Sequence, residues 1–253
     1  IPGYSPDPSI CRVGEDFYLV NSTFEFFPGV PIYHSKNLVN WELIQYCLSR
    51  PSQLYLEGCR NSGGIYAPTI RYYNGIFYMI TTNVTDKGNF VVHTDCIDGE
   101  WSEPAWIDQG GIDPSLFWDD DGICYYCSTG VLNGTRGIVA FEINPITGEI
   151  LSKKHLISEG CGGQCAEGPH IFKRNGWYYL ILAEGGTEYG HRETIQRAKE
   201  IYGPYQPAPN NPILTHMEYK KSEIQATGHA DFVEDQNGNT WAVFLGIRKF
   251  GHP

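Results

Sequence analysis

DPSICRVGEDFYLVNS, residues 7–22, is the stretch whose reading decides the fold. An acid before proline leads into a short apolar run. A Gly-Glu pair then turns the chain, and a second run of aromatic and branched residues returns. On its own this is the signature of one β-hairpin, with an acid that could simply bend the chain before proline. The pattern recurs as APTIRYYNGIFYMITT (67–82), DPSLFWDDDGICYYCST (113–129), GPHIFKRNGWYYLILAE (168–184) and HADFVEDQNGNTWAVFLG (229–246). The starts at 7, 67, 113, 168 and 229 are separated by 60, 46, 55 and 61 residues.

A looser strand–turn–strand pattern lies between successive hairpins: IYHSKNLVNWELI, VVHTDCIDGEWSEP, VAFEINPITGEIL and IQRAKEIYGPYQP. Two hairpins per unit make a four-stranded blade, and a unit of ~40–50 residues is typical of propellers. The sequence therefore predicts an all-β protein, a five-bladed β-propeller whose fifth blade is incomplete, because no second hairpin follows residue 246. A half-built blade exposes a sheet edge. Residues 1–253 are accordingly read as one propeller domain belonging to a longer polypeptide.

Composition sets bounds on the partner. With 41% hydrophobic and 19% charged residues the chain reads as globular. Its net charge of −11 and the lack of a Lys/Arg cluster argue against nucleic acid. No apolar run reaches the ~20 residues of a membrane helix. The eight cysteines form no evident framework. Cys124 and Cys127 sit three apart in a predicted strand and so face opposite ways, which suits neither a shared metal nor a redox pair. Cys161 and Cys165 flank a Gly-rich loop, and reduced thiols are the expectation throughout.

In a propeller the innermost strand of each blade lines a central channel, and its first residues reach the channel mouth. The equivalent positions here carry Asp7, Ala67, Asp113, Glu167 (one residue before Gly168) and His229. Each acid alone could cap a turn. Three at matching places are costly unless something uses their charge. Hydrolysis of a glycosidic bond is such a use, since it needs one carboxyl group to protonate the leaving oxygen and a second acting from the opposite face. A third acid could raise the pKa of the proton donor. Phe27 in FEFFPG and Tyr66, both in Gly-flanked loops, are candidate sugar contacts. A protein-only metal cage around His229 is not expected, because no further ligand is visible beside it.

With these residues in hand, the chain resembles glycoside hydrolase family 43, of the β-xylosidase and α-L-arabinofuranosidase type. PDPSI, STFEFFPGVPIYHSKNLVNW, SGGIYAPTIRY, GIDPSLF, AEGPHIF, AEGGTEYGH and ATGHADFVE carry the likeness in order along the chain. The resemblance implies an exo-acting, inverting hydrolase that releases xylose or arabinofuranose from xylan-derived oligosaccharides. By motif, Asp7 would be the general base, Glu167 the general acid, and Asp113 the residue that tunes and orients the acid. Phe27 and Tyr66 would wall the terminal sugar pocket, with His229 near the channel centre.

The family usually has Trp where this chain has Tyr66, and Phe26 stands in a commoner FEWFPG. Members of this type also use an arginine beyond the fifth hairpin, and many carry a C-terminal β-sandwich; neither falls before residue 253. No cofactor is required, although some relatives place a hydrated cation beside the histidine corresponding to His229. The expected partner is a small oligosaccharide, not nucleic acid or membrane, and a homo-oligomer stays open. Two rivals remain: a retaining, invertase-like propeller, disfavoured because Ile112 and not Arg precedes Asp113, and a non-catalytic glycan-binding propeller.

Overall fold

The computed structural model describes residue 1 and residues 3–248. Within them the chain is an all-β propeller without an α-helix. The first sheet contains β1 (Ser9–Val13), β2 (Asp16–Val20), β3 (Gly29–Ser35) and β4 (Glu42–Leu48), paired antiparallel in chain order. The second repeats this with β5 (Ile65–Tyr73), β6 (Ile76–Asn83), β7 (Gly88–Thr94) and β8 (Ala105–Trp106). The third does so with β9 (Ser115–Trp118), β10 (Cys124–Leu132), β11 (Thr135–Glu142) and β12 (His155–Ser158). The fourth holds β13 (Glu167–Arg174), β14 (Trp177–Glu184), β15 (Arg192–Ala198) and β16 (Gln206–Pro207), and β17 (Leu214–Thr215) also pairs with β15. A last sheet contains β18 (Ile224–Glu234) and β19 (Thr240–Arg248).

Turn chemistry explains where three of the hairpins form: β5–β6, β10–β11 and β13–β14. Asn74-Gly75, Asn133-Gly134 and Asn175-Gly176 all take positive φ at both residues. That is the type I′ geometry whose twist matches the strands it joins, and Asn-Gly is its preferred pair.

Strand alternation then distributes side chains between neighbouring sheets. On β10, Cys124 and Tyr126 enter the core shared with the second sheet, while Cys127 enters the core shared with the fourth. The two cysteines thus face opposite ways, and all eight thiols are free. A separate apolar core fills each of the first three gaps between sheets.

The last sheet packs against the first through Ile10, Phe17 and Val233. Ser9 Oγ and the Ile10 amide also donate to Asp231 Oδ2, at 2.6 and 3.1 Å. These contacts join residues more than 200 positions apart and bring both ends of the described chain around one channel.

Candidate active site

The repeat has a backbone peculiarity at the channel mouth. Asp7, Asp113, Gly168 and His229, which share one repeat position, have φ of 53, 57, 56 and 52°. Left-handed backbone is uncommon outside glycine, though Asp and His tolerate it better than most, and a following proline adds its own restriction. Three of these four precede proline. Strain of this kind persists where the surroundings over-determine it, typically at functional sites. At Gly168 a Cβ would lie 3.0 Å from His229 Nε2, so glycine also gives the histidine ring room.

The structure brings the acids together. Asp7 Oδ1 lies 3.5 Å from His229 Nδ1, and Asp7 Oδ2 accepts from Ser22 Oγ at 2.6 Å. Asp113 is buried, and its Oδ2 accepts from the Gly168 amide at 3.1 Å, which ties it to the backbone next to Glu167. Burial is the main cause that raises the Asp113 pKa to about 7; His229 opposes the rise, and the Glu167 and Asp7 charges add to it. Glu167 is raised too, chiefly by burial, with Asp7 adding to the rise and His229 and Arg136 opposing it. Burial disfavours a charge on His229, but Asp7, Asp113, Glu167 and Glu193 outweigh it, so the imidazole is held protonated more strongly than usual. The mouth therefore sets a histidine whose charge is favoured among carboxyls of which Asp113 is raised to about 7.

An aromatic wall stands beside Asp7. The rings of Phe24 and Tyr66 are 5.4 Å apart at 69°, and Tyr4 lies 5.7 Å from Phe24. Burial and the nearby Asp7 charge raise the Tyr4 phenol. Tyr66 is positioned by its hydroxyl, which donates to Ser62 O at 2.8 Å. Phe24 is anchored by reciprocal backbone bonds with Ile65. Phe27 is half exposed at the cis Phe27–Pro28 bond. Phe24, not Phe27, makes the ring contact with Tyr66. Tyr4 lies outside the repeated hairpins and Ser22 closes the first of them with nothing to mark it, while Phe24 belongs to the FEFFPG stretch from which Phe27 was the candidate.

A second polar ring lies beneath the first. Two residues beyond the mouth, the inner strands carry Ser9, Thr69, Ser115, His170 and Asp231, all buried. Arg71 reaches into this ring. It donates to both oxygens of Asp231 at 2.6 and 3.0 Å, to Ser9 Oγ at 3.2 Å and to His170 Nδ1 at 2.9 Å. Burial pushes the His170 pKa down to about 3, so the ring is neutral and accepts from Arg71. For Asp231 burial acts upward, but Arg71 and His170 overcome it and hold the pKa at about 2. Glu193, wholly buried beside His229, accepts from the Ala230 amide at 2.9 Å, and burial raises its pKa to about 8. Polar residues at the third position of all five repeats were the available sequence signal for this ring. Among the described residues, no group of three or more His, Cys, Asp or Glu is arranged to hold a metal ion.

An all-β propeller with carboxyls from separate blades around one channel mouth defines a class of carbohydrate-active scaffold. Within that class, residues 1–253 match the sequence family Glycosyl hydrolases family 43, and the chain belongs to that family. It is 48% identical over 252 residues to the non-reducing end α-L-arabinofuranosidase BoGH43B of Bacteroides ovatus, covering 98% of this chain and 47% of that protein. It is 41% identical over 267 residues to a β-xylosidase of Bacillus subtilis, covering 100% and 50%. The solved structure of a xylan β-1,4-xylosidase from Bacillus halodurans superposes with a TM-score of 0.94 at 40% identity, over 99% of this chain and 50% of that one. The chain thus spans about half the length of the relatives it matches.

Proposed function

We propose that residues 1–253 form the catalytic domain of an exo-acting, inverting glycoside hydrolase. In this reading the two-stranded sheet of β18 and β19 is the incomplete fifth blade of a five-bladed propeller. The substrate is the non-reducing end of a xylan-derived oligosaccharide, from which xylose or arabinofuranose is released; relatives described as α-L-arabinofuranosidase and β-xylosidase support this range. The observation that carries the reading is the convergence of Asp7, Asp113, Glu167 and His229 at one mouth.

Asp7 acts as general base, deprotonating the water that attacks the anomeric carbon. Ser22 and His229 hold its carboxylate in place. Glu167 acts as general acid, giving its proton to the departing oxygen. It is the less buried of the raised pair, and Asp113 has one oxygen committed to the Gly168 amide. In this reading Asp113 tunes and orients the acid, tied to the backbone beside it through the Gly168 amide. Tyr66 and Phe24 wall the sugar pocket, with Phe27 at its outer rim. His229 offsets the negative charge. The reading needs no cofactor; a hydrated cation beside His229 would be held through its waters by the same acids, and no step runs through it.

Proton NMR of the first-formed product tests the reading. Inverted anomeric configuration is expected, and retention would exclude direct displacement by water. The acid assignment has its own check. Glu167→Ala should slow substrates with poor leaving groups far more than activated aryl pentosides, because only the former require a proton donor. Equal losses on both would count against Glu167 as the acid.

A further inference from the structure

The hairpin joining β10 to β11 rises above the acid cluster. Thr129 brackets the residue before Asp113, its amide donating to Ile112 O at 3.0 Å and its hydroxyl accepting from the Ile112 amide at 2.8 Å. From that level β10 continues to Leu132, turns at Asn133-Gly134 and returns as β11, with Val131 opposite Arg136. Two further residues of strand carry this pair about 7 Å beyond the level of Ile112. The tight turn with both residues at positive φ holds the hairpin in register.

Strand parity fixes the direction in which the pair faces. Arg136, Ile138 and Ala140 alternate onto one face of β11. Ile138 and Ala140 belong to the core shared with Ile171, Leu180 and Leu182 of the fourth sheet. Arg136 and Val131 therefore stand above that core, toward the sheet that carries Glu167. The electrostatics agree, since the Arg136 guanidinium is close enough to lower the proton affinity of Glu167. Arg136 is exposed and has no ion-pair partner within 4 Å among the described residues, and Val131 beside it is 64% exposed.

Resting on the hydrolase reading above, we infer that Arg136 and Val131 form the leaving-group side of the site, where they select a sugar in that position. The acid must touch the departing oxygen, so the leaving sugar lies next to Glu167, on the side these residues overhang. Val131 offers an apolar surface to the C–H face of the ring. The planar guanidinium can donate two parallel hydrogen bonds to vicinal hydroxyls. The occupant is thus a neutral pyranose or furanose unit with adjacent free hydroxyls. Arg136 is a specificity residue, distinct from the three carboxyls.

Equilibrium binding tests this in the full-length protein carrying Asp7→Asn, which prevents turnover. The ligands are a pentose disaccharide and the matching monosaccharide. Adding Arg136→Ala should weaken the disaccharide about tenfold, the value of a hydrogen bond from a charged donor, and alter the monosaccharide less than twofold. Arg136→Lys keeps the charge but loses the fork and should recover part of the difference. Equal weakening of both sugars, no weakening of either, or no binding at all would overturn the inference.

A second readout uses pH. Glu167 faces His229, Asp7, Asp113 and Arg136 from the surrounding elements. Removing the guanidinium should move the basic limb of kcat/KM upward in Arg136→Ala and leave it in place in Arg136→Lys, with the shift shrinking as salt is added. A limb unmoved at low ionic strength would overturn the placement. If the disaccharide-selective binding loss appears but the wild-type protein cleaves no disaccharide, the inference stands and the hydrolase reading falls.

Discussion

Two rings of polar residues occupy the same channel one step apart, and they treat buried charge in opposite ways. In the lower ring Arg71 meets Asp231 with two hydrogen bonds, and Ser9 and His170 take up the remaining donors and acceptors. In the upper ring Asp7, Asp113 and Glu167 share a single histidine. Pairing holds the Asp231 pKa at about 2, whereas burial among like charges lifts Asp113 to about 7. The lower ring is neutralised and serves the scaffold. The upper ring is left poised to exchange protons, which is what acid–base chemistry near neutrality requires.

The largest expected effect tests that division of labour on the rate. On the proposed assignment of Asp7 as general base, Asp7→Asn should lower kcat by about 10²–10⁴ on every substrate, the usual contribution of such a group, with the thermal midpoint little changed. Asp231→Asn should give the complementary result. Leaving the part-buried Arg71 without its carboxylate should destabilise the fold by less than the ~3–5 kcal/mol of a fully buried pair, read as a fall in the urea midpoint at constant slope. A rate loss for Asp231→Asn without a stability loss, or the reverse for Asp7→Asn, would break the contrast between the rings.

The rings also predict opposite pH dependence of stability. Asp231 has a folded pKa below the unfolded value of about 3.9. Its contribution is therefore present above that value and is lost as pH falls toward 2. Asp113 has a folded pKa above its unfolded value. Its protonated form carries full stability below about pH 4, and that stability is lost as pH rises through about 7. Asp113→Asn should consequently be more stable than wild type at pH 8 and indistinguishable from it near pH 4. Denaturant titrations at the two pH values check this, and equal differences at both would remove the charge argument for Asp113.

Much of this division could be read from the residues. The Gly-containing turns and the aromatic and branched runs in YYNGIFYMITT and KRNGWYYLILAE place the inner hairpins of the second and fourth sheets, and the repeat aligns Asp7, Asp113 and His229 without coordinates. The lower ring was less legible. Arg71 looks like an ordinary exposed strand residue until the channel shows where a long side chain can reach. The aromatic wall depends on loops with no repeat to align them. Phe24 and Phe27 are indistinguishable as residue types, and only the backbone pairing of Phe24 with Ile65 sets the nearer ring against Tyr66. The short strand β16 closes the unit read in IQRAKEIYGPYQP, whereas β17, which also pairs with β15, falls outside every repeated unit.

The smallest effect sharpens the comparison at its finest point, the hydrogen bond from Ser22 to Asp7. In the lower ring the bonds from Ser9 and Ile10 to Asp231 are buried, and their loss would strand a buried partner. Ser22 is itself buried, but the Asp7 side chain is 15% exposed, so water can replace the missing hydroxyl. Ser22→Ala should therefore cost the fold about 1 kcal/mol or less, while releasing the carboxylate from its fixed orientation. On the proposed role of Asp7 as base, the expected outcome is a fall in kcat of up to about tenfold, because the bond fixes the carboxylate's orientation, with KM nearly constant. A rise in KM at constant kcat would show instead that Ser22 serves sugar binding, and that Asp7 is held in place by His229 alone.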